Sequence, residues 1–355
     1  MIRYIIPSVG NNLKLERHCP HCGRFGGNIH SGINYRSVSD IKVSSIPQRR
    51  MKCPFCGTTW TIRVKGVGDG RQRSDRLISI GVVLYMFGLS YRSVEKFLML
   101  LDCTGSKSSI ERDVANAGQK AREFHFQAPR MRVRVLGVDG TGAKMAGKKA
   151  GLLFFVDVER NRLVCVEAVN ETDSQKVRRL MQKVMQVVGA EQLRTDELSV
   201  YEGIVPQEQH KICLAHWRKS KCRRVWQLYR ELKTEGMQFD ASDMLNLLEL
   251  LKVEPRPSTL PEAVEKLVRR YINCCKGTLW KVNQLLQHIE RTWERVGGDG
   301  VDRTNNATER IIGLDYKIRV KTARGFKAWD KILCHCYLSE YLKGNDGICD
   351  LRKVV

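Results

Sequence analysis

No stretch of this chain approaches 18 uninterrupted apolar residues, which excludes a membrane-spanning helix. The N-terminal MIRYIIPSVGNNLKLERHC has neither a long apolar core nor a small-residue cleavage site, so no secretory signal is expected. Internal repeats and low-complexity tracts are also missing. The cysteines do not form an even disulfide framework: there are 13, and four of them fall in two CxxC pairs. That usage suits a reducing, cytoplasmic compartment and a metal site. Acidic side chains are scarce. Against 61 Lys and Arg stand 38 Asp and Glu, a formal charge of +23 with a pI near 9.7. This excludes a typical acidic enzyme and favours a polyanionic partner, nucleic acid before a membrane surface. What is present is an ordinary globular composition, 42% hydrophobic and 28% charged, in 355 residues. That length allows two or three domains.

The charge is unevenly spread. Residues 1–70 carry +8 and residues 71–132 carry +5, whereas residues 133–214 carry only +1; residues 215–303 and 304–355 add +5 and +4. The pattern of residues changes at similar points. Residues 1–70 are short strand-like pieces between cysteines. Residues 71–132 are helical, with Leu77, Ile80, Val83, Leu84 and Phe87 at helical spacing. From 133 the runs VRVLGVDG, GLLFFVDVE and RLVCVEAVN predict a three-stranded antiparallel meander, followed by a helix over SQKVRRLMQKVMQVVG and short strands at QLRTDE and HKICL. Beyond 215 the chain is mostly helical, interrupted by VEPRPSTLPEA and VGGDGVDRTNN. The expected segments are therefore 1–70, 71–132, a mixed α/β core begun at 133–216, a helical insertion at 217–303, and 304–355 as the end of the core.

Cys19-Pro-His-Cys22-Gly and Cys53-Pro-Phe-Cys56-Gly are two copies of one knuckle. Each CxxC turn presents two thiolates on one side, and its glycine frees the backbone to point amides at sulfur. Two knuckles supply the tetrahedral thiolate set of a structural Zn²⁺, which holds together a segment too small for its own core. His18 and His21 are spare donors beside a complete set. In the next segment, LSYRSVEKFLMLLDCTGSKSSIERDVANAGQK has helix-turn-helix proportions, with a second helix from about Lys107 to Gln119. Lys107, Ser108, Ser109 and Arg112 would sit at that helix's start, where DNA is met; a plain helical hairpin is the alternative.

Asp139 ends an apolar strand, Asp196 ends QLRTD, and Glu309 lies in TNNATERIIG at the start of a predicted helix. Singly, a strand-ending Asp is most often a solvated turn residue. Three carboxylates brought together are what hard divalent cations require. The ordered set GVDGTG, GLLFFVDVERNRLV, RTDELSVYEGIV, HKICLAHWRKS and TNNATERIIGLDYKIRVKTARGF resembles the transposases of bacterial insertion sequences, of the DDE class with a retroviral-integrase-like RNase H core. The likeness covers essentially the whole chain. The acids lie 57 and 113 residues apart, and the longer gap resembles members with an all-helical insertion. Cys213-Leu-Ala-His216 matches their CxxH element, and TNNxxER with Lys317, Arg319, Lys321 and the pair Gly325-Phe326 matches their C-terminal signature.

The resemblance implies that Asp139, Asp196 and Glu309 bind Mg²⁺ (or Mn²⁺), with hydrolysis at an element end followed by attack of the freed 3′-OH on target DNA. It further implies element-end and target DNA as partners, a homo-oligomer during reaction, and a bacterial or archaeal, nucleoid-associated setting. Glu197 departs from the pattern, standing where a small residue is expected. Asp157 is a rival ligand, read instead as a turn acid. Cys213 and His216 supply only two ligands, so packing or DNA positioning is the favoured role. Trp217, Arg218, Lys219, Lys221, Arg223 and Arg224 form a basic run from which a subset meets phosphate, with Trp217 available to stack on a base. Arg310, Lys317, Arg319, Lys321 and Arg324 are expected on the DNA backbone, with an exposed helix face as the alternative. Trp280, Trp293 and Trp329 are expected in the core. The rival functions are a DNA-binding regulator on an inactive nuclease-like scaffold and a structure-specific nuclease.

Overall fold

The computed structural model describes residues 2–10, 18–129, 132–169, 172–253, 259–296, 305–319, 326 and 328–355. The architecture is mixed α/β, and the chain divides into two compact units, Met1–Pro129 with Asp315–Val355, and Arg130–Leu314. The division runs through the 304–355 segment of the sequence reading, leaving Glu309 in the second unit.

In the first unit, β1 (Arg3–Ile5) pairs in parallel with Ile348–Asp350. β2 (Ile29–Ser37), β3 (Ser45–Lys52) and β4 (Thr59–Thr61) form an antiparallel sheet in that order. Three helices follow, α1 (Asp75–Met86), α2 (Tyr91–Met99) and α3 (Lys107–Gln127). Each starts at a serine whose hydroxyl accepts an amide of the first turn: Ser74 from Leu77, Ser90 from Ser93, Ser106 from Ser109. The last runs eight residues past the predicted end at Gln119, stopping before Pro129. Its extension is carried by packing. Ile110, Val114, Ala117 and Ala121 are buried with Leu77, Val82, Val94 and Leu98 and with Leu338 and Leu342 of the helix Trp329–Leu342. Gly118 permits that approach, since a Cβ there would lie 2.7 Å from Cys334 Cβ.

In the second unit, β5 (Val135–Met145), β6 (Lys148–Asp157) and β7 (Arg162–Glu167) form the expected antiparallel meander. β8 (Gln192–Thr195) then lies parallel to β5, and β9 (His210–Ile212) parallel to β8, giving the order β7-β6-β5-β8-β9. Between β7 and β8 runs α4 (Ser174–Val188), capped by Asp173 and ended by Gly189 in the left-handed conformation. Leu136 and Val138 of β5 share a core with Val177, Met181 and Val184 of α4. Strand alternation turns Gly137 and Asp139 to the opposite face. The helices α5 (Leu214–Thr234), α6 (Gln238–Val253), α7 (Leu260–Tyr271) and α8 (Gly277–Trp293) enclose their own core, including Val225, Leu228, Met244, Leu247, Leu286 and Ile289. The short α9 (Asn306–Arg310) follows, and Ile311–Lys317 is wound as a π-helix. Trp293 packs on Trp217, but Trp280 is 46% exposed, contrary to its reading as core.

Candidate active site and metal centre

The two cysteine knuckles fold alike. In each, the glycine N–H returns to the carbonyl of the first cysteine, Gly23 to Cys19 at 2.9 Å and Gly57 to Cys53 at 3.0 Å. Both glycines have positive φ, 69° and 73°, which the turn requires. The Sγ atoms of Cys19 and Cys56 are 3.7 Å apart, as are those of Cys22 and Cys53. All four lie within 4.8 Å of one another. A tetrahedron with Zn–S bonds of about 2.3 Å has edges of about 3.8 Å, so the spacing fits that ion. Hydrogen bonds from Thr58 pull the Cys56 thiol down to about 5, while, against the Arg24 amide, desolvation and the neighbouring thiols push Cys22 up to about 11. His18 packs edge-on against Phe25 at 4.9 Å, and the four thiols form the group without either histidine. This cluster can hold a structural metal ion such as zinc.

The carboxylates belong to the second unit. Gly137 of β5 pairs with Arg194 of the parallel β8, and continuing that register by two residues sets Asp139 level with Asp196. Glu309 is delivered by α9 to the face on which Gly137 and Asp139 project. Asn305, fully buried, donates its side-chain amide to the Val138 carbonyl at 3.2 Å, and its Oδ1 accepts from Thr308 at 2.6 Å. Gly137 makes the approach sterically feasible: a Cβ there would stand 2.4 Å from Thr308 Oγ1 and 2.8 Å from Asn305 Oδ1. The sequence contains both residues, yet nothing in their local pattern reveals that one is shaped for the other.

Cys213 and His216 close the group from the start of α5. The Cys213 Sγ is buried and accepts the Asn305 backbone N–H at 3.2 Å, and His216 Nε2 is 3.5 Å from Glu309 Oε1. Cys213, His216 and Glu309 each have a ligand atom within 4.8 Å of the others. The Cys213 thiol beside it, then the Glu309 and Asp139 carboxylates, push the His216 pKa up to about 9 despite partial burial. Burial alone would raise the Cys213 thiol, but His216 and the Asn305 amide hold it below its ordinary value. A cationic imidazole therefore stands among these carboxylates at neutral pH, as a concentration of negative charge demands.

Two buried networks fix the segment around Asp196. The Thr195 hydroxyl donates to the Asp196 carbonyl at 2.6 Å, so His210 Nε2 donates to Thr195 Oγ1 at 2.8 Å and its Nδ1 accepts from Arg295 at 2.7 Å. Burial, with the Arg295 charge, holds His210 neutral, its pKa down to about 4. On the other side Glu197 Oε1 takes Lys221 Nζ at 2.5 Å and His288 Nε2 at 2.7 Å. Burial works against the Glu197 charge, but these two donors hold it below the usual carboxylate range. The side chain that departs from the transposase pattern is thus a buried anchor between β8 and the helices α5 and α8. Asp157 is a turn acid, as read: its Oδ1 accepts the Glu159 and Arg160 amides, both at 3.1 Å.

The sequence-derived DNA contacts separate into two groups. Lys107, Ser108 and Arg112 are exposed at the start of α3, with Ser109 half-buried against Ser106. Lys219, Arg310 and Lys317 are also exposed. Trp217 is not available to a base, because it is 1% exposed and its indole N–H donates to Thr292 at 2.9 Å. Lys221 is buried on Glu197, and Arg218 is half-buried with its guanidinium on the Lys252 carbonyl. Arg319 is likewise internal, 6% exposed, 3.7 Å over the Tyr85 ring and donating to the Leu89 carbonyl. A basic run on a helix necessarily sends some cations inward, and these found partners there. Lys321, with Arg324 and Gly325, lies outside the described residues. Among the described residues no helix is long and apolar enough to cross a membrane. Compared with protein-family models and with curated proteins, the chain matches none.

Proposed function

We propose that this chain is a DNA transposase of the DDE class, cutting at the ends of an insertion sequence and joining the freed 3′-OH to target DNA. One observation carries the reading. Asp139 lies on β5, Asp196 directly follows the adjacent parallel strand β8, and Glu309 sits on the helix that Asn305 ties to β5. The sheet order, an antiparallel meander followed by two strands parallel to its first, supports an RNase H-like core. Three carboxylates would suit Mg²⁺ or Mn²⁺, with Asp139, Asp196 and Glu309 as the holders, while the ligand atoms that already lie within 4.8 Å of one another are those of Glu309, Cys213 and His216. Bound divalent ions supply activation of the attacking oxygen and neutralisation of the phosphate charge.

The protein's own part is positioning. Asn305 and Gly137 bring Glu309 against β5, while the Thr195 and Glu197 networks fix Asp196. His216 balances the carboxylate charge and is a cationic donor beside Glu309, suited to the phosphate backbone. The four-cysteine cluster would carry Zn²⁺, and the exposed cations at the start of α3 would meet duplex DNA.

The test uses duplex DNA from the borders of the coding segment, with Mg²⁺. The wild-type chain is expected to nick it and transfer a 3′-end to a second duplex. Asp139→Asn should bind equally and lose transfer by more than the roughly 100-fold typical of an outer-shell change. Transfer undiminished in Asp139→Asn sinks the assignment, and tight binding with no nicking by the wild type favours the regulator.

A further inference from the structure

The helix α5 leaves the carboxylate site carrying a second feature. His216, Lys219, Arg223, Trp226, Arg230 and Lys233 follow one another at alternating spacings of three and four. On a helix that spacing is a single stripe, running roughly 25 Å at 1.5 Å per residue. Lys219, Arg223, Trp226, Arg230 and Lys233 are all exposed, and the stripe contains no acid. The acids of the helix's second half are engaged elsewhere: Glu231 pairs with Lys281 at 2.7 Å, and Glu235 accepts from Thr278 at 2.6 Å. Among the described residues, none of the four stripe cations beyond His216 makes a salt bridge.

Trp226 is the second, independent observation. It is 46% exposed on the stripe, stacked on Tyr229 at 5.2 Å and 25°. The Lys233 ammonium lies 5.9 Å over the Tyr229 ring. Trp226 and Tyr229 stacked together among cations form the combination of aromatic face and positive charge on which unpaired bases stack.

We infer that this stripe is a track for a DNA strand leaving the carboxylate site. Lys219, Arg223, Arg230 and Lys233 neutralise successive phosphates, and Trp226, backed by Tyr229, takes the face of an unpaired base. Continuity with the site is built in, since the stripe begins at His216, whose Nε2 is 3.5 Å from Glu309. The inference rests on the reading of that site as one acting on DNA. It replaces Trp217 with Trp226 as the stacking residue and extends the basic surface to Arg230 and Lys233.

The experiment measures DNA binding by the zinc-loaded full chain with no chelator and no added Mg²⁺ or Mn²⁺, which separates it from catalysis. The probes are a blunt duplex and the same duplex with a single-stranded 3′-overhang. Arg223→Ala/Arg230→Ala should flatten the log K against log salt slope by roughly 1.4 to 1.8, at about 0.7 to 0.9 per phosphate lost. Trp226→Ala should weaken overhang binding by roughly 5- to 100-fold, as expected for one stacked base, and leave the blunt duplex nearly unaffected. Lys266→Ala, exposed on α7, should keep the wild-type slope. Wild-type affinity and slope in the stripe variants would overturn the track while leaving the carboxylate assignment standing. So would a loss in Lys266→Ala equal to that in the stripe, or variants that lose only binding to phosphatidylserine vesicles. Weakened stripe variants with full strand transfer by Asp139→Asn would instead retain the track and overturn the catalytic reading.

Discussion

The cysteine cluster and the carboxylate site are built on opposite plans. Each knuckle carries two ligands and its own glycine within five residues, so the turn geometry is local and repeated. The carboxylates come from β5, from the end of β8 and from α9, and their arrangement is a property of the sheet and of the helix docked on it. The first plan would rely on a bound ion such as zinc to hold a small segment together. The second depends on shape at a single point, where Gly137 lets Thr308 and Asn305 approach the strand.

That difference can be broken from either side. The largest effect is expected from Cys53→Ser or from metal removal. Structural zinc of this kind contributes on the order of 10 kcal/mol, so residues 18–61 should lose their protection in hydrogen exchange. The exchange of β5 and β8 should be unchanged, and protection lost equally in both regions would show that the two plans are coupled. A smaller effect is expected from Gly137→Ala. Overpacking there should cost about 1–3 kcal/mol in chemical denaturation. Strand transfer should fall further than that loss of stability explains, because α9 and Glu309 are displaced together. A thermally destabilised variant with normal transfer would show that Glu309 does not depend on this contact.

A third effect is a pH dependence, to which His210 contributes on the carboxylate side and the buried His335 in the other unit. The folded pKa of His210, about 4, lies below the ordinary value of 6.5, so the unfolded chain takes up the proton first. The stability contributed by neutral His210 is fully present above about 6.5 and declines as pH falls toward 4, by at most about 1.4 kcal/mol per pH unit. His210→Gln should flatten the denaturation midpoint across that window. An unchanged slope would mean that another group titrates there.

The two plans also explain what could be read from the chain. The knuckles were legible because all the information is within each turn. The meander, α4 and the helical region were legible from periodicity, whereas the three acids, two at strand ends and Glu309 at the start of a predicted helix, were singled out only by the resemblance. The sequence could not indicate which members of a basic run face inward. Trp217, Lys221 and Arg319 are directed by helix phase and by partners such as Thr292, Glu197 and Tyr85, the last two lying 24 and 234 residues away in sequence. Glu197 looked like an irregularity because its partners, Lys221 and His288, belong to helices that had not been placed. Asn305 was visible only as part of a motif, and its bond to the Val138 carbonyl, 167 residues away, is purely tertiary.

The reach of the Glu197 network has a consequence for synthesis. Its second donor, His288, follows it by 91 residues. At roughly 5–20 residues per second, a ribosome needs about 5–20 s to cover that distance. For all of that time a nascent chain holds Asp196 on a strand that lacks its anchor, and Glu309 emerges later still. The cysteine cluster is complete once residue 56 is made. The cysteines that form the N-terminal cluster are thus all made long before the second partner of Glu197 exists.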